Sequence, residues 1–95
     1  SGALLGDKNA SWRFGLICKD EMDYAEAAKY FEKAAEAGQG MAMYELAMLY
    51  EQGLGKPTNR AKAIEWYTKC SNSTYIARND ARKALKRLGA NDEKE

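Results

Sequence analysis

The 95-residue chain has no histidine, one proline, two cysteines and no long apolar run. The absence of histidine removes the commonest general base, the commonest zinc ligand and every Ser-His or Cys-His nucleophile pair. Two cysteines cannot form a zinc site alone, and no apolar run approaches the ~18 residues that a membrane-spanning helix needs. We therefore expect no enzymatic activity, no metal, no cofactor and no membrane span in this chain.

The charge and the cysteines limit the partners and the compartment. Fifteen Lys and Arg residues nearly balance fourteen Asp and Glu residues, which leaves a net charge of +1 and no general attraction to nucleic acid or anionic membranes. The wide separation of Cys18 and Cys70 favours reduced thiols and a cytoplasmic or other reducing compartment. Two glycosylation sequons, at residues 9–11 and 72–74, leave a secretory location open.

The chain repeats itself. Residues 10–18 match residues 42–50 at an offset of 32, and residues 25–34 match residues 61–70 at an offset of 36. An internal period of this size is typical of stacked supersecondary units, which form extended binding surfaces more often than active sites.

Apolar spacing and capping residues predict five helices and no strand. The first spans about residues 9–19, the second lies between an Asp23 cap and Gly38, the third spans 40–52 and ends at Gly53, the fourth spans 60–71 after a Thr58 or Asn59 cap, and the fifth lies between a Ser73 cap and Gly89. On the first helix, Ala10, Phe14, Ile17 and Cys18 have the spacing of an apolar stripe.

These elements predict an all-α fold, an α-solenoid of antiparallel helix pairs with about two repeats and a C-terminal capping helix. The expected division is one domain over residues 3–89, with a first repeat at 9–39, a second at 40–72 and the capping helix at 73–89, followed by a disordered tail at 90–95. The chain begins with Ser1-Gly2 rather than methionine, so we expect it to be part of a longer protein.

The second unit carries a specific motif. A small residue and a tyrosine, Ala47 and Tyr50, precede a Gly-x-Gly loop at residues 53–55, and Ala-x-x-Trp-Tyr follows at residues 63–67. This stretch of about residues 40–70 resembles a Sel1-like repeat, the longer-looped relative of the tetratricopeptide repeat. Residues 9–39 lack the Gly-x-Gly loop and have the spacing of an ordinary tetratricopeptide unit. The resemblance implies a scaffold or adaptor without shared catalytic chemistry.

The repeat pattern also has a direct physical meaning. Small residues recur where two helix backbones must approach closely, and large ones recur where the gap to a neighbouring unit must be filled. The small positions are Gly15, Ala27, Ala34, Ala47 and Ala63, and the large ones are Phe31, Trp66 and Tyr67.

The first helix of each pair is expected to line the concave side of the solenoid. Residues spaced by 3, 4 and 3 form one stripe there: Asn9, Trp12, Leu16 and Lys19 on the first helix, and Met41, Tyr44, Met48 and Glu51 on the third. Aromatic residues are rigid anchors and methionines are adaptable contacts. We predict a protein-interaction module that binds a peptide or partner domain on this stripe. The alternative is that these residues pack against further repeats, in a purely structural segment of a longer array.

The last helix combines an apolar stripe with a basic surface. The stripe is Ala77, Ala81, Ala84, Leu85 and Leu88, and the basic residues are Arg78, Arg82, Lys83, Lys86 and Arg87. A capping helix with a solvated polar face explains both. The alternative is a basic patch for nucleic acid or an acidic partner. The near-neutral total charge and the acidic residues within 92–95 disfavour nucleic acid.

Two short segments resemble catalytic or phosphate-binding sites, but structural roles explain them better. Asp20, Glu21 and Asp23 form an acidic cluster in a turn, where solvated charge is expected. The loop at residues 53–58 resembles a phosphate loop, but Pro57 follows its lysine and no strand leads into it.

Overall fold

The computed structural model describes residues 7–73 and 77–89, and all regular structure in these residues is helical. The helices are α1 (Lys8–Asp20), α2 (Tyr24–Glu36), α3 (Gly40–Gln52), α4 (Arg60–Ser73) and α5 (Arg78–Arg87). Each packs mainly on the next in sequence, which gives an elongated body of 47 × 25 × 17 Å. The predicted all-α solenoid of helix pairs is confirmed. The predicted start of the domain at residues 3–6 and the predicted tail at 90–95 lie outside the described residues.

Side chains fix the helix starts where the sequence predicts them. The Asp23 carboxylate accepts a hydrogen bond from the backbone N–H of Glu26 at 3.3 Å, and it opens α2. The Asn59 side chain accepts from the N–H of Lys62 at 3.0 Å and opens α4. Of the two candidate caps, Thr58 and Asn59, the structure therefore uses Asn59.

The predicted start of the last helix is wrong. Ser73 belongs to the last turn of α4, where its hydroxyl donates to the carbonyl oxygen of Lys69 at 2.8 Å. Helix α5 begins at Arg78, after Ala77. A serine hydroxyl bonds the carbonyl four residues earlier in a helix as readily as it caps a new one, so the residue type alone did not fix its position.

The small and large positions form the core as predicted. All five small positions are buried, and so are Phe31, Trp66 and Tyr67. The Phe31 ring lies directly against Gly15, because a Cβ atom at Gly15 would come within 2.6 Å of the ring atoms Cδ1 and Cε1. The ring of α2 thus occupies the space that a side chain on α1 would need, and this lets the two helices approach closely.

A polar junction joins α5 to the second helix pair. The Tyr67 hydroxyl donates to Glu51 Oε1 at 2.7 Å, and the Arg87 guanidinium donates to both carboxylate oxygens of Glu51. The hydrogen bond from Arg87 lowers the pKa of Glu51. Burial, followed by the bond to Glu51, raises the pKa of Tyr67. One carboxylate on α3 therefore connects side chains of α4 and α5.

Because of the Gly15–Phe31 contact, a substitution at Gly15 that favours helix formation should destabilise the protein. Gly15→Ala should gain about 0.5–1 kcal/mol from helix propensity, but the added methyl group has to displace the Phe31 ring. We expect a net destabilisation of about 1–3 kcal/mol, measured as a lower midpoint of thermal unfolding. In the background of Phe31→Leu the same change should cost less, because the smaller side chain leaves room. A more stable Gly15→Ala protein would contradict the packing.

The Glu51 junction predicts a pH-dependent contribution to stability. Since the folded-state pKa of Glu51 is lowered, its contribution is present above the unfolded value of about 4.3 and is lost as the pH falls through the folded value. Glu51→Gln should therefore be less stable than the wild type at pH 7, by about 1 kcal/mol, and the difference should shrink below about pH 4.

A matched control is Glu65→Gln, because Glu65 is exposed and forms only surface pairs with Lys62 and Lys69. That variant should follow the wild-type stability curve closely from neutral to acid pH. If both variants lose the same stability at every pH, the junction does not contribute as described.

Candidate functional site

The eight residues predicted to line the concave side lie on α1 and α3, and we refer to the surface that they form as the α1–α3 face. Five of them are apolar or aromatic: Trp12, Leu16, Met41, Tyr44 and Met48. All five pack against the core while part of each side chain stays accessible to solvent. The face is thus a partly exposed apolar stripe that crosses two helices.

The polar members of the α1–α3 face hold helices together. Lys19 Nζ donates to Glu45 Oε1 at 2.7 Å, and the Gln39 side-chain amide donates to Asn9 Oδ1 at 3.2 Å. The first contact joins α1 to α3, and the second joins α1 to Gln39, the residue that caps α3. Both contacts therefore hold α1 in place relative to α3. Glu51 is engaged by Tyr67 and Arg87, as described above. These three residues therefore make contacts between elements, whereas the apolar members are partly exposed.

Tyr44 packs against α4. Its ring centroid is 5.6 Å from that of Tyr67. Burial, followed by the carboxylates of Asp80 and Glu45, raises the pKa of Tyr44, so its hydroxyl stays protonated and able to donate. Sequence reasoning missed Asp80 and Glu45. The signal that could have found Asp80 is its place as the one acidic residue of α5.

Trp12 contributes its ring rather than its polar atom. Its indole Nε1 is buried. Among the described residues, it is the one buried side-chain nitrogen or oxygen atom without a hydrogen-bond partner. A buried unpaired donor costs about 1–3 kcal/mol. The polar group that makes tryptophan useful at many interfaces therefore faces inward here, and the exposed part of the side chain is apolar.

The basic residues that were predicted to form a patch on α5 lie in different environments. The apolar stripe of the same helix is buried as expected, with Ala81, Ala84 and Leu85 all in the core. The guanidinium of Arg87 is bound by Glu51. Arg78 is half-buried, whereas Arg82, Lys83 and Lys86 are exposed.

The buried side of α1 is not the apolar stripe that the sequence predicts. Ser11 and Gly15 are buried on this helix, whereas Phe14 and Ile17 are 42% and 54% exposed. The Phe31 ring packs on Gly15, and the neighbouring Phe14 lies at the edge of the helix pair, where its ring centroid is 5.6 Å from that of Tyr30 on α2. The glycine makes the buried contact of the pair, and the phenylalanine makes a partly exposed one.

Both cysteines are free thiols, Cys70 buried and Cys18 half-buried. Burial and then the charge of Asp80 raise the pKa of Cys70 to about 11. Burial, followed by nearby carboxylates, also raises the pKa of Cys18. Both thiols are therefore protonated at neutral pH and weakly nucleophilic.

Across residues 7–73 and 77–89, no three His, Cys, Asp or Glu side chains come together as metal ligands. None of the helices in this part of the chain has both the length and the hydrophobicity to cross a bilayer.

Known proteins share this repeat. The chain is 35% identical over 63 residues to the putative beta-lactamase HcpC of Helicobacter pylori (strain J99 / ATCC 700824), a match that covers 64% of this chain and 22% of that protein. It is 43% identical over 42 residues to DAP3-binding cell death enhancer 1 of Mus musculus, covering 44% of this chain and 8% of the relative. The chain thus spans less than a quarter of the length of these curated relatives.

The family assignment comes from both helix pairs. The sequence model of the Sel1 repeat matches residues 13–39 and residues 40–75. The first unit, which was interpreted from its spacing as an ordinary tetratricopeptide unit, is thus also matched as a Sel1 repeat, despite lacking the Gly-x-Gly loop. With both units matched over more than half of its length, this chain belongs to the Sel1 repeat family.

Proposed function

We propose that the chain is a non-enzymatic interaction module that binds a peptide or a partner domain on the α1–α3 face. Sel1 repeats generally mediate protein–protein interaction, which supports the class of function. The observation that carries the choice of surface is the line of five partly exposed apolar side chains across α1 and α3. Aromatic residues and methionine are enriched in the central part of protein interfaces.

The composition of the face suits a peptide with apolar anchors. The rings of Trp12 and Tyr44 are held by core packing, so they lose little conformational entropy when a partner binds. The flexible side chains of Met41 and Met48 adapt to the shape of an apolar partner side chain. Ordered rings beside adaptable thioethers favour one defined site with tolerance for related sequences.

The charged groups around the face favour a defined orientation of the partner. Burial and then the charge of Asp80 raise the pKa of Tyr44, so Asp80 brings a carboxylate to the Tyr44 end of the face, whereas Glu45 is paired with Lys19. Arg87 is neutralised there by Glu51. A bound peptide would therefore gain from a donor or a positive group at this end.

Comparison with the relatives supports binding rather than catalysis. One relative is named a putative beta-lactamase, but this chain has neither an S-x-x-K serine motif nor a histidine for zinc, and the Sel1 repeat family is typically non-catalytic. The name of the mouse relative describes the binding of another protein. We extend only the general property, protein binding, to this chain.

Nucleic-acid binding through α5 receives less support. Arg87 is already bound by Glu51, and Asp80 places a negative charge on the same helix. The three exposed basic residues, Arg82, Lys83 and Lys86, are a small set for phosphate binding.

The proposal predicts that the α1–α3 face can be disabled without unfolding the chain. Trp12→Ala with Tyr44→Ala should abolish partner binding but also reduce stability, because both rings pack on the core. Met41→Gln with Met48→Gln keeps side-chain volume and should lower affinity at least about tenfold. The partner is first captured with the wild type and then purified, and its affinity for each folded variant is measured by titration calorimetry.

The matched control changes exposed residues on the outer helices. Ala25→Gln with Ala61→Gln introduces the same polar side chain on α2 and α4, where both alanines are exposed, and should leave the affinity unchanged. Full affinity in the folded methionine variant, or a loss in the control equal to that in the methionine variant, would remove the α1–α3 face from the account.

A further inference from the structure

A second apolar surface lies on the other side of α1. Phe14, Ile17 and Met22 are 42%, 54% and 75% exposed, and they are the large hydrophobic residues that the described part of the chain leaves exposed. Phe14 and Ile17 lie roughly half a turn around α1 from Trp12 and Leu16, so they do not belong to the α1–α3 face. We refer to Phe14, Ile17 and Met22 as the α1 edge.

Met22 occupies a position where the fold elsewhere uses glycine. Helix α1 ends with the N–H of Asp23 bonded to the carbonyl of Cys18 at 2.8 Å, and α2 and α3 end with the same bond over the same spacing. The residue with positive φ is Gly38 at the end of α2 and Gly53 at the end of α3. At the end of α1 it is Met22, with φ 62°.

The methionine therefore costs stability without supporting the fold. A side chain in the left-handed region costs about 1–2 kcal/mol relative to glycine, and the Met22 side chain is 75% exposed, so little of this cost is recovered by burial. An apolar side chain held in solvent at a strained position is more easily explained by contact with another molecule than by folding.

The charge around the α1 edge indicates the nature of that molecule. Asp20, Glu21 and Asp23 are exposed in and beside the turn that holds Met22. Burial, and then the carboxylates of Asp23, Glu26 and Glu21, raise the pKa of the neighbouring Cys18 thiol, in keeping with the acidic character of this turn. Lys19, the basic residue of α1 closest to this turn in sequence, is bound by Glu45 of α3, and Glu26 is paired with Lys29.

We propose that the α1 edge docks an amphipathic segment of a partner protein that carries lysine or arginine beside apolar residues. Apolar side chains of the segment cover Ile17 and Met22, and its cations meet the carboxylates of the turn. The same carboxylates repel anionic membranes and nucleic acid. They also repel a second copy of this chain that would present its own α1 edge. This surface is separate from the α1–α3 face and does not depend on the proposed function.

The test uses two designed helical peptides as probes, each about five turns long. One has leucine at positions i, i+3, i+4 and i+7 and lysine at the others, which gives a helix one apolar side, and the other has glutamate in place of each lysine. Fluorescence anisotropy on the full chain should show binding of the leucine–lysine peptide at least about tenfold tighter than that of the acidic peptide. Equal affinities would overturn the proposal.

Three variants locate the binding. Met22→Gly should raise the midpoint of thermal unfolding, because it relieves the backbone strain, and yet weaken the leucine–lysine peptide; together with Ile17→Ser it should lower affinity about tenfold. Ala61→Gln, at an exposed position of α4 outside both surfaces, should bind this peptide like the wild type. Unchanged affinity in the Ile17→Ser, Met22→Gly protein would refute the α1 edge. So would light scattering that showed a wild-type dimer dissociated by that pair of changes, since the occupant would then be a second copy.

Discussion

The close contact between a glycine on one helix and an aromatic ring on the next sets the arrangement of the molecule. Because Gly15 has no side chain, the Phe31 ring fills the space that a side chain on α1 would occupy. The two helices of the first pair therefore pack closely. The equivalent positions in the second pair, Ala47 and Tyr67, are both fully buried. The two pairs stack as repeats through α2 and α3, and Lys19 of α1 bonds to Glu45 of α3.

Much of the fold could be predicted because it depends on local chemistry. The caps at Asp23 and Asn59, the left-handed Gly53 and the alternation of small and large residues are each determined by a few neighbouring residues. The start of α5 could not be predicted from Ser73, because a serine hydroxyl serves equally well inside a helix and at its beginning.

For the candidate site, the sequence indicated which apolar residues share a side of α1 and α3, but not the contacts that its polar residues make. Spacing placed the apolar stripe on α1 and α3, but it cannot reveal partners far along the chain, such as Arg87 for Glu51 or Glu45 for Lys19. Periodicity also gave an apolar stripe on α1 without showing that Phe14 would face solvent. These facts depend on how the helices pack on each other, which the sequence of one helix does not contain.

The most direct test of the central claim uses the four methionines of the chain as reporters. Methionine methyl groups labelled with carbon-13 are followed by NMR while a captured protein partner is titrated. The account predicts that Met41 and Met48 on the α1–α3 face shift, while the buried Met43 stays nearly unchanged. A partner that binds with full affinity and leaves the signals of Met41 and Met48 unmoved would show that the α1–α3 face is not where this chain binds.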